Sequence, residues 1–130
     1  MSKTRTVIFG AAGRMGRRLI ALGMMDPRIE IVGAVEGPGH PQLGADAGVI
    51  AGVGPIELPL TDTLPTEADA VIDFSLPDGA EAVIRECGKK KIPLVEATTG
   101  LTDAQIDLLK ATAEDLPLLW APNMSLAVNL

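Results

Sequence analysis

The heptapeptide Gly10-Ala11-Ala12-Gly13-Arg14-Met15-Gly16 constrains the fold of this 130-residue chain more than any other stretch. A short apolar run, Thr6-Val7-Ile8-Phe9, leads into it, and a helix-length segment leads out of it. At such a strand-to-helix turn the three glycines have separate jobs. Gly10 permits the tight turn, Gly13 lets the backbone approach a phosphate, and Gly16 lets the helix lie close on a sheet. The free N–H groups of the first helical turn and the helix dipole favour an anion there, and Arg14 adds a cation. The spacing is G-x-x-G-x-x-G rather than the commoner G-x-G-x-x-G. Three glycines alone say little, but a strand before them and a helix after them make the loop a cradle for a dinucleotide pyrophosphate.

Periodicity predicts the remaining elements. A helix is expected over 14–25, with Met15, Leu19, Leu22 and Met25 on one stripe and Pro27 ending it. A strand over 29–35 finishes at Glu36. The stretch 37–54 is rich in Gly, Pro and Ala and reads as a long loop with a helical turn near 43–50. A short strand is expected over 56–60 and another over 70–74. A helix follows over 77–89, with Pro77 in its first turn and Ala80, Val83, Ile84 and Cys87 on one face. A strand over 93–96, a helix over 102–114 with Thr102 and Gln105 spaced as a capping box, and a strand over 116–121 complete the chain. This alternation predicts an α/β domain over 1–130: a Rossmann-type, doubly wound, mostly parallel sheet with helices on both faces. With two Phe, one Trp and no Tyr, the core must be aliphatic, as suits a buried parallel sheet.

Charge and composition exclude other classes. A formal net charge of -6 leaves no obvious basic face for nucleic acid. One cysteine allows neither an internal disulfide nor a cysteine-based metal cluster, and no metal site is expected. No apolar run nears the roughly 20 residues of a membrane span. The opening residues lack a signal-peptide apolar region, so a cytoplasmic protein is expected.

Glu36 lies 20 residues after Gly16, where a strand-end carboxylate can accept hydrogen bonds from both hydroxyls of an adenosine ribose. Gly37 follows it, with no Arg or Lys to neutralise a 2′-phosphate, so the pattern favours NAD(H) and leaves NADP(H) open. Three further strand ends should face the same crevice: Phe74-Ser75, Thr98-Thr99-Gly100 and Ala121-Pro122-Asn123-Met124. Other chemistry-bearing residues read as structural. His40 is a loop histidine beside Pro41, Cys87 fills the core, and Lys89-Lys90-Lys91 complements a helix C-terminus. Asp69 and Asp73 suit turns at strand ends better than an acid pair.

Five ordered motifs carry a family resemblance: Val7-Ile8-Phe9-Gly10 through Arg17, Ala34-Val35-Glu36, Val71 through Pro77, Ala97-Thr98-Thr99-Gly100-Leu101 and Ala121-Pro122-Asn123-Met124-Ser125. The Leu43-to-Gly48 loop fits as well. Together they resemble the N-terminal domain of the 4-hydroxy-tetrahydrodipicolinate (dihydrodipicolinate) reductases, over the whole chain. The resemblance implies an NADH- or NADPH-dependent reduction in diaminopimelate and lysine biosynthesis, converting 4-hydroxy-tetrahydrodipicolinate to tetrahydrodipicolinate. It implies that Gly10, Ala11, Ala12, Gly13, Arg14 and Met15 hold the pyrophosphate and Glu36 the adenosine ribose. Ala97, Thr98 and Thr99, with Ala121, Pro122, Asn123 and Met124, would then surround the nicotinamide end. Three residues depart from the pattern. Ala97 stands where the family often has glycine, Gly37 where some members have arginine, and Leu76 where some have a basic residue. The family's second domain carries a His-His-x-x-Lys signature that is absent from this sequence. The chain alone is therefore expected to bind cofactor without catalysing the reduction, as a monomer or weak dimer where the full-length family forms homotetramers. Two alternatives stand beside this reading. One is a related dehydrogenase acting on amino acids such as aspartate, and the other a non-redox nucleotide- or CoA-binding module. Glu36 argues against the last, because it would repel a 3′-phosphate.

Overall fold

In the computed structural model, which describes residues 2–65 and 67–121, every neighbouring pair of strands is parallel. The elements are β1 (Thr4–Phe9), α1 (Arg14–Met25), β2 (Ile29–Val35), α2 (Ala47–Ala51), β3 (Leu60–Thr61), β4 (Ala70–Asp73), α3 (Pro77–Lys90), β5 (Leu94–Glu96), α4 (Asp103–Thr112) and β6 (Leu118–Trp120). The described strands form one sheet in the order β3-β2-β1-β4-β5-β6. The order reverses direction between β1 and β4, which opens a crevice at the carboxyl ends of those strands. The doubly wound α/β architecture expected from the alternation is therefore present.

Alternating residues of the strands feed two cores. On one face Val7, Val35, Val71 and Leu94 meet Val83, Ile84 and Cys87 of α3 and Leu109 of α4. On the other, Ile8, Ala34 and Leu60 meet Ile20 of α1 and Ala47 of α2. The expected apolar face of α3 is the buried one: Ala80, Val83, Ile84 and Cys87 all lie inside. Thr102 and Gln105 form the expected capping box, with Gln105 N–H donating to Thr102 Oγ1 (3.2 Å) and Thr102 N–H to Gln105 Oε1 (2.9 Å).

Two expectations are corrected. The buried face of α1 is Gly16, Ile20 and Gly23, not the stripe of Met15, Leu19, Leu22 and Met25. Leu22 is 57% and Met25 82% exposed, while Leu19 is half-buried. The helix lies so close to the sheet that glycine, not bulk, marks its inner face. A Cβ on Gly23 would come within 2.7 Å of Ile31 Cδ1. The strand expected over 56–60 is only Leu60–Thr61. Upstream, the N–H groups of Ile56 and Leu58 donate to the Asp46 carboxylate (3.0 and 3.1 Å) instead of a ladder. Asp46 also caps α2 through the N–H groups of Gly48 and Val49. These donors, Ile56 foremost, hold its carboxyl below the usual carboxylate range. One carboxylate thus organises the long loop, in which α2 overlaps the helical turn expected near 43–50.

Candidate functional site

The glycine loop sits where the fold places ligands, at the carboxyl end of β1. Gly10 has φ +76°, and a Cβ there would meet the backbone of Phe74 at 2.7 Å, so two crevice-lining loops touch through this one glycine. At Gly16 a Cβ would strike the Gly10 carbonyl oxygen and lie 2.7 Å from Ala11 Cα, so α1 begins directly against the loop. Gly10 and Ala11 donate N–H groups to the Val35 carbonyl, tying the loop to the end of β2. No side chain caps α1, so the first-turn N–H groups of Arg14, Met15 and Gly16 lack a side-chain acceptor. That contrasts with α2 and α4, whose N-termini are closed by Asp46 and Thr102.

Glu36 is brought onto this loop. Its Oε2 accepts the N–H of Ala12 at 2.9 Å, and its own N–H donates to Thr61 O at 2.8 Å. Its second oxygen has no partner among the described residues. Glu36 lines a groove of about 340 Å³ together with Gly37, His40, Ser75, Leu76 and Asp78. The groove carries two carboxylates and no Lys or Arg. His40 is therefore a loop residue, as read, but it faces the groove. Its Nδ1 accepts Gln42 N–H at 3.1 Å, which fixes the ring and leaves the proton of the neutral ring on Nε2. A larger cavity, about 450 Å³, opens at the opposite end of the sheet against Lys3, Met24, Pro27 and Glu30. It lies at the amino ends of β1 and β2, away from the loops, so the smaller groove is the better candidate.

The deepest acids, Asp73 and Glu96, were not read as a pair in the sequence. Asp73 and Glu96 end adjacent strands, face each other in the β4–β5 register, and are both 0% exposed. Asp73 Oδ1 accepts the N–H of Ser75 (2.8 Å), and Glu96 Oε2 accepts the N–H of Thr98 (3.2 Å). Each acid thus holds the loop that follows its own strand. Their remaining oxygens, Asp73 Oδ2 and Glu96 Oε1, are buried without a hydrogen-bond partner, as is Thr98 Oγ1. Burial, then the neighbouring Asp73, push the Glu96 carboxyl up to about 9. The signal was available: in a parallel sheet the last residues of neighbouring strands come together. The pair weighed in the sequence, Asp69 and Asp73, is separated. Asp69 lies outside β4 and binds exposed Arg5 at 3.2 Å, while Asp73 has the strand-end turn role expected of it.

Residues 4–124 match the family model described as "Dihydrodipicolinate reductase, N-terminus". The chain belongs to this family. It is 46% identical over 128 residues to the 4-hydroxy-tetrahydrodipicolinate reductase of Rhodopirellula baltica, covering 95% of this chain and 46% of that protein. To the reductase of Alkalilimnicola ehrlichii it is 47% identical over 131 residues, covering 98% and 49%. The chain thus spans about half the length of the curated relatives it matches. Among solved structures, a dipicolinate-bound dihydrodipicolinate reductase from Paenisporosarcina sp. TG-14 superposes with a TM-score of 0.71 at 22% identity, covering 95% of this chain and 49% of that one. Aspartate semialdehyde dehydrogenase with NADP from Candida albicans superposes with a TM-score of 0.67 at 18% identity, covering 97% and 44%. At these identities the likeness is one of fold.

Within this nucleotide-binding domain, the remaining expected site residues fall in two groups. Ala97 and Thr98 are buried, and Thr98 turns its N–H and hydroxyl inward; Thr99 and Gly100 are exposed. Ala121 is half-buried and donates its N–H to Glu96 O at 2.8 Å. Pro122, Asn123 and Met124 lie outside the described residues. Cys87 is buried core, its thiol pushed up to about 12 by burial and then by the charges of Asp73 and Glu96. Lys89 and Lys90 close α3, as expected of cations at a helix C-terminus. No described helix is long and apolar enough to cross a membrane.

Proposed function

We propose that this chain is the dinucleotide-binding half of a 4-hydroxy-tetrahydrodipicolinate reductase and that it takes NADH at least as readily as NADPH. The observation carrying the reading is the union of an uncapped α1 N-terminus, a loop closed to any Cβ at Gly10 and Gly16, and Glu36 hydrogen-bonded to that loop. The segment from Gly10 to Met15 holds the pyrophosphate: the N–H groups of Gly10 to Gly13 are spent on Val35, Glu36 and the loop itself, which leaves the first-turn amides of Arg14 and Met15, with the Arg14 cation, to face it. Glu36 accepts the hydroxyls of the adenosine ribose with the oxygen that Ala12 leaves free. Two carboxylates and no Lys or Arg in the groove disfavour a 2′-phosphate. Ala97, Thr98, Thr99 and Ala121, with Pro122, Asn123 and Met124, form the nicotinamide end. When bound, the dinucleotide supplies a hydride donor. This chain's part is to bind and orient it, and the substrate's carboxylates and proton are handled by the other half of a cytoplasmic biosynthetic enzyme.

Thermal unfolding with NADH, NADPH and CoA tests the reading. A ligand at 100 times its Kd stabilises the fold by about 2.7 kcal/mol. NADH is expected to do so, and CoA is not. Markedly tighter NADPH would overturn the cofactor assignment, and stabilisation by CoA alone would overturn the dinucleotide reading. The 130-residue chain is expected to show no turnover of the cyclic substrate, and turnover would refute the division of labour.

A further inference from the structure

We propose that Asp73 and Glu96 share a single proton, and that this pair is the positioning device holding the β4–α3 and β5–α4 loops together at the nicotinamide end of the crevice. The geometry leaves little else for them to do. The two acids are register partners at the ends of β4 and β5, and neither touches solvent. Each spends one oxygen on the loop beyond its own strand, through Ser75 N–H and Thr98 N–H. The other two oxygens make no hydrogen bond, and the one neighbouring hydroxyl, that of buried Thr98, acts on Glu96 and can serve only one of them. Two bare carboxylates there would leave both oxygens unsatisfied and repel each other, whereas one proton between them supplies a donor and removes one charge. The surroundings offer no substitute cation. The register neighbours on β1 and β6 are Phe9 and Trp120. From α3 the pair meets buried Cys87, with Glu86 and Lys90 of the same helix acting on that thiol at longer range. The charged residues of α4, Asp103, Asp107 and Lys110, are exposed.

The proton has a predicted signature. Glu96 holds its proton to far higher pH in the folded chain than in the unfolded one. Folding therefore takes up a proton between about pH 5 and pH 9, and stability falls as pH rises through that window, levelling off beyond it. A full proton of linkage weakens the folding equilibrium about tenfold per pH unit.

Unfolding of the ligand-free chain between about pH 5 and pH 9 reads this slope directly. Glu96→Gln keeps an oxygen for Thr98 N–H and offers Asp73 an N–H that does not titrate, so it should flatten the slope. Asp73→Asn should lessen the slope by donating to Glu96, whose burial remains, and it serves if the first variant does not fold. Cys87→Ala should leave the slope in place, because that thiol titrates above the window. A slope unchanged in both carboxamide variants would overturn the proposal. So would a missing slope with a melting temperature raised by Mg²⁺ or K⁺, since a cation would then occupy the pair. A second measurement rests on the dinucleotide reading: NADH affinity should fall about tenfold as the pair ionises near pH 9, and Glu96→Gln should abolish that fall. Failure to bind NADH at any pH would sink the dinucleotide reading alone, leaving the ligand-free slope to judge the pair.

Discussion

Glu36 and the Asp73–Glu96 pair occupy equivalent places in the fold, at the carboxyl ends of parallel strands, yet they are opposite in character. Glu36 is half-buried, has one oxygen on Ala12 N–H, and leaves the other toward a groove. Asp73 and Glu96 are fully buried, spend one oxygen each on the next loop, and leave the others facing inward. The position at a strand end does not decide what an acid does. Depth decides it: a carboxylate at the rim can stay ionised and meet a ligand, while one a layer lower must find a donor or keep a proton. The Glu36 half of the crevice is thus built on charge and the Asp73–Glu96 half on the removal of charge.

The harshest way to break the Glu36 half is steric. Gly16→Ala puts a methyl group against the Gly10 carbonyl and Ala11 Cα, both backbone and unable to yield. About 3 kcal/mol of stability should be lost, with NADH binding lost as the loop moves. Gly37→Ala is the matched control: its Cβ meets nothing within 4 Å, and stability should change by less than about 0.5 kcal/mol. Urea midpoints for the two variants check both values, and equal losses would mean that α1 does not depend on close approach at the loop.

A gentler change separates the two jobs of Glu36. Glu36→Gln retains an oxygen for Ala12 N–H but gives up the charge that, in the proposed role, would strengthen hydrogen bonds from ribose hydroxyls. NADH affinity should fall about tenfold, roughly 1.4 kcal/mol, with the melting temperature nearly unchanged. Glu36→Ala should lose more affinity and some stability as well, because Ala12 N–H then loses its acceptor. Native affinity in Glu36→Gln would reduce Glu36 to a support for the loop.

Those two halves were not equally legible in the sequence. The glycine loop and Glu36 could be read because each is a local signal: a turn, a helix start, a strand end at fixed spacing. The faces of α3 and the Thr102 cap were readable for the same reason. The inner face of α1 was not, because Gly16 and Gly23 pack by being small, and a search for apolar bulk selects Met15, Leu22 and Met25 instead. The strand expected at 56–60 was lost to Asp46, ten residues upstream of Ile56, whose claim on those N–H groups depends on the loop closing. The Asp73–Glu96 pair needed more than periodicity. Both residues were visible as strand ends, but their meeting follows from strand order and register, which emerge only from the whole sheet.

A further expected effect concerns a neutral counterpart of that pair. Gln105 is buried at the start of α4, where its Oε1 accepts Thr102 N–H and its Nε2 donates to the Pro77 carbonyl at 2.9 Å. It therefore joins the starts of α3 and α4, while Asp73 and Glu96 hold the loops that precede them through Ser75 and Thr98 N–H. Gln105→Glu keeps the acceptor for the cap, and a carboxylate suits the first turn of a helix. Its second oxygen then faces the Pro77 carbonyl where Nε2 donated, and about 2 kcal/mol should go with that bond. Gln105→Ala loses both bonds and should cost about 2 kcal/mol. An amide carries no titratable proton, so the Gln105→Ala loss should be the same near pH 6 as near pH 8, both inside the window where the native chain weakens. A loss that grew with pH would mean that the upper tie and the buried acids are one coupled unit. A constant loss would leave the proton between Asp73 and Glu96 as the pH-sensitive tie between the two loops.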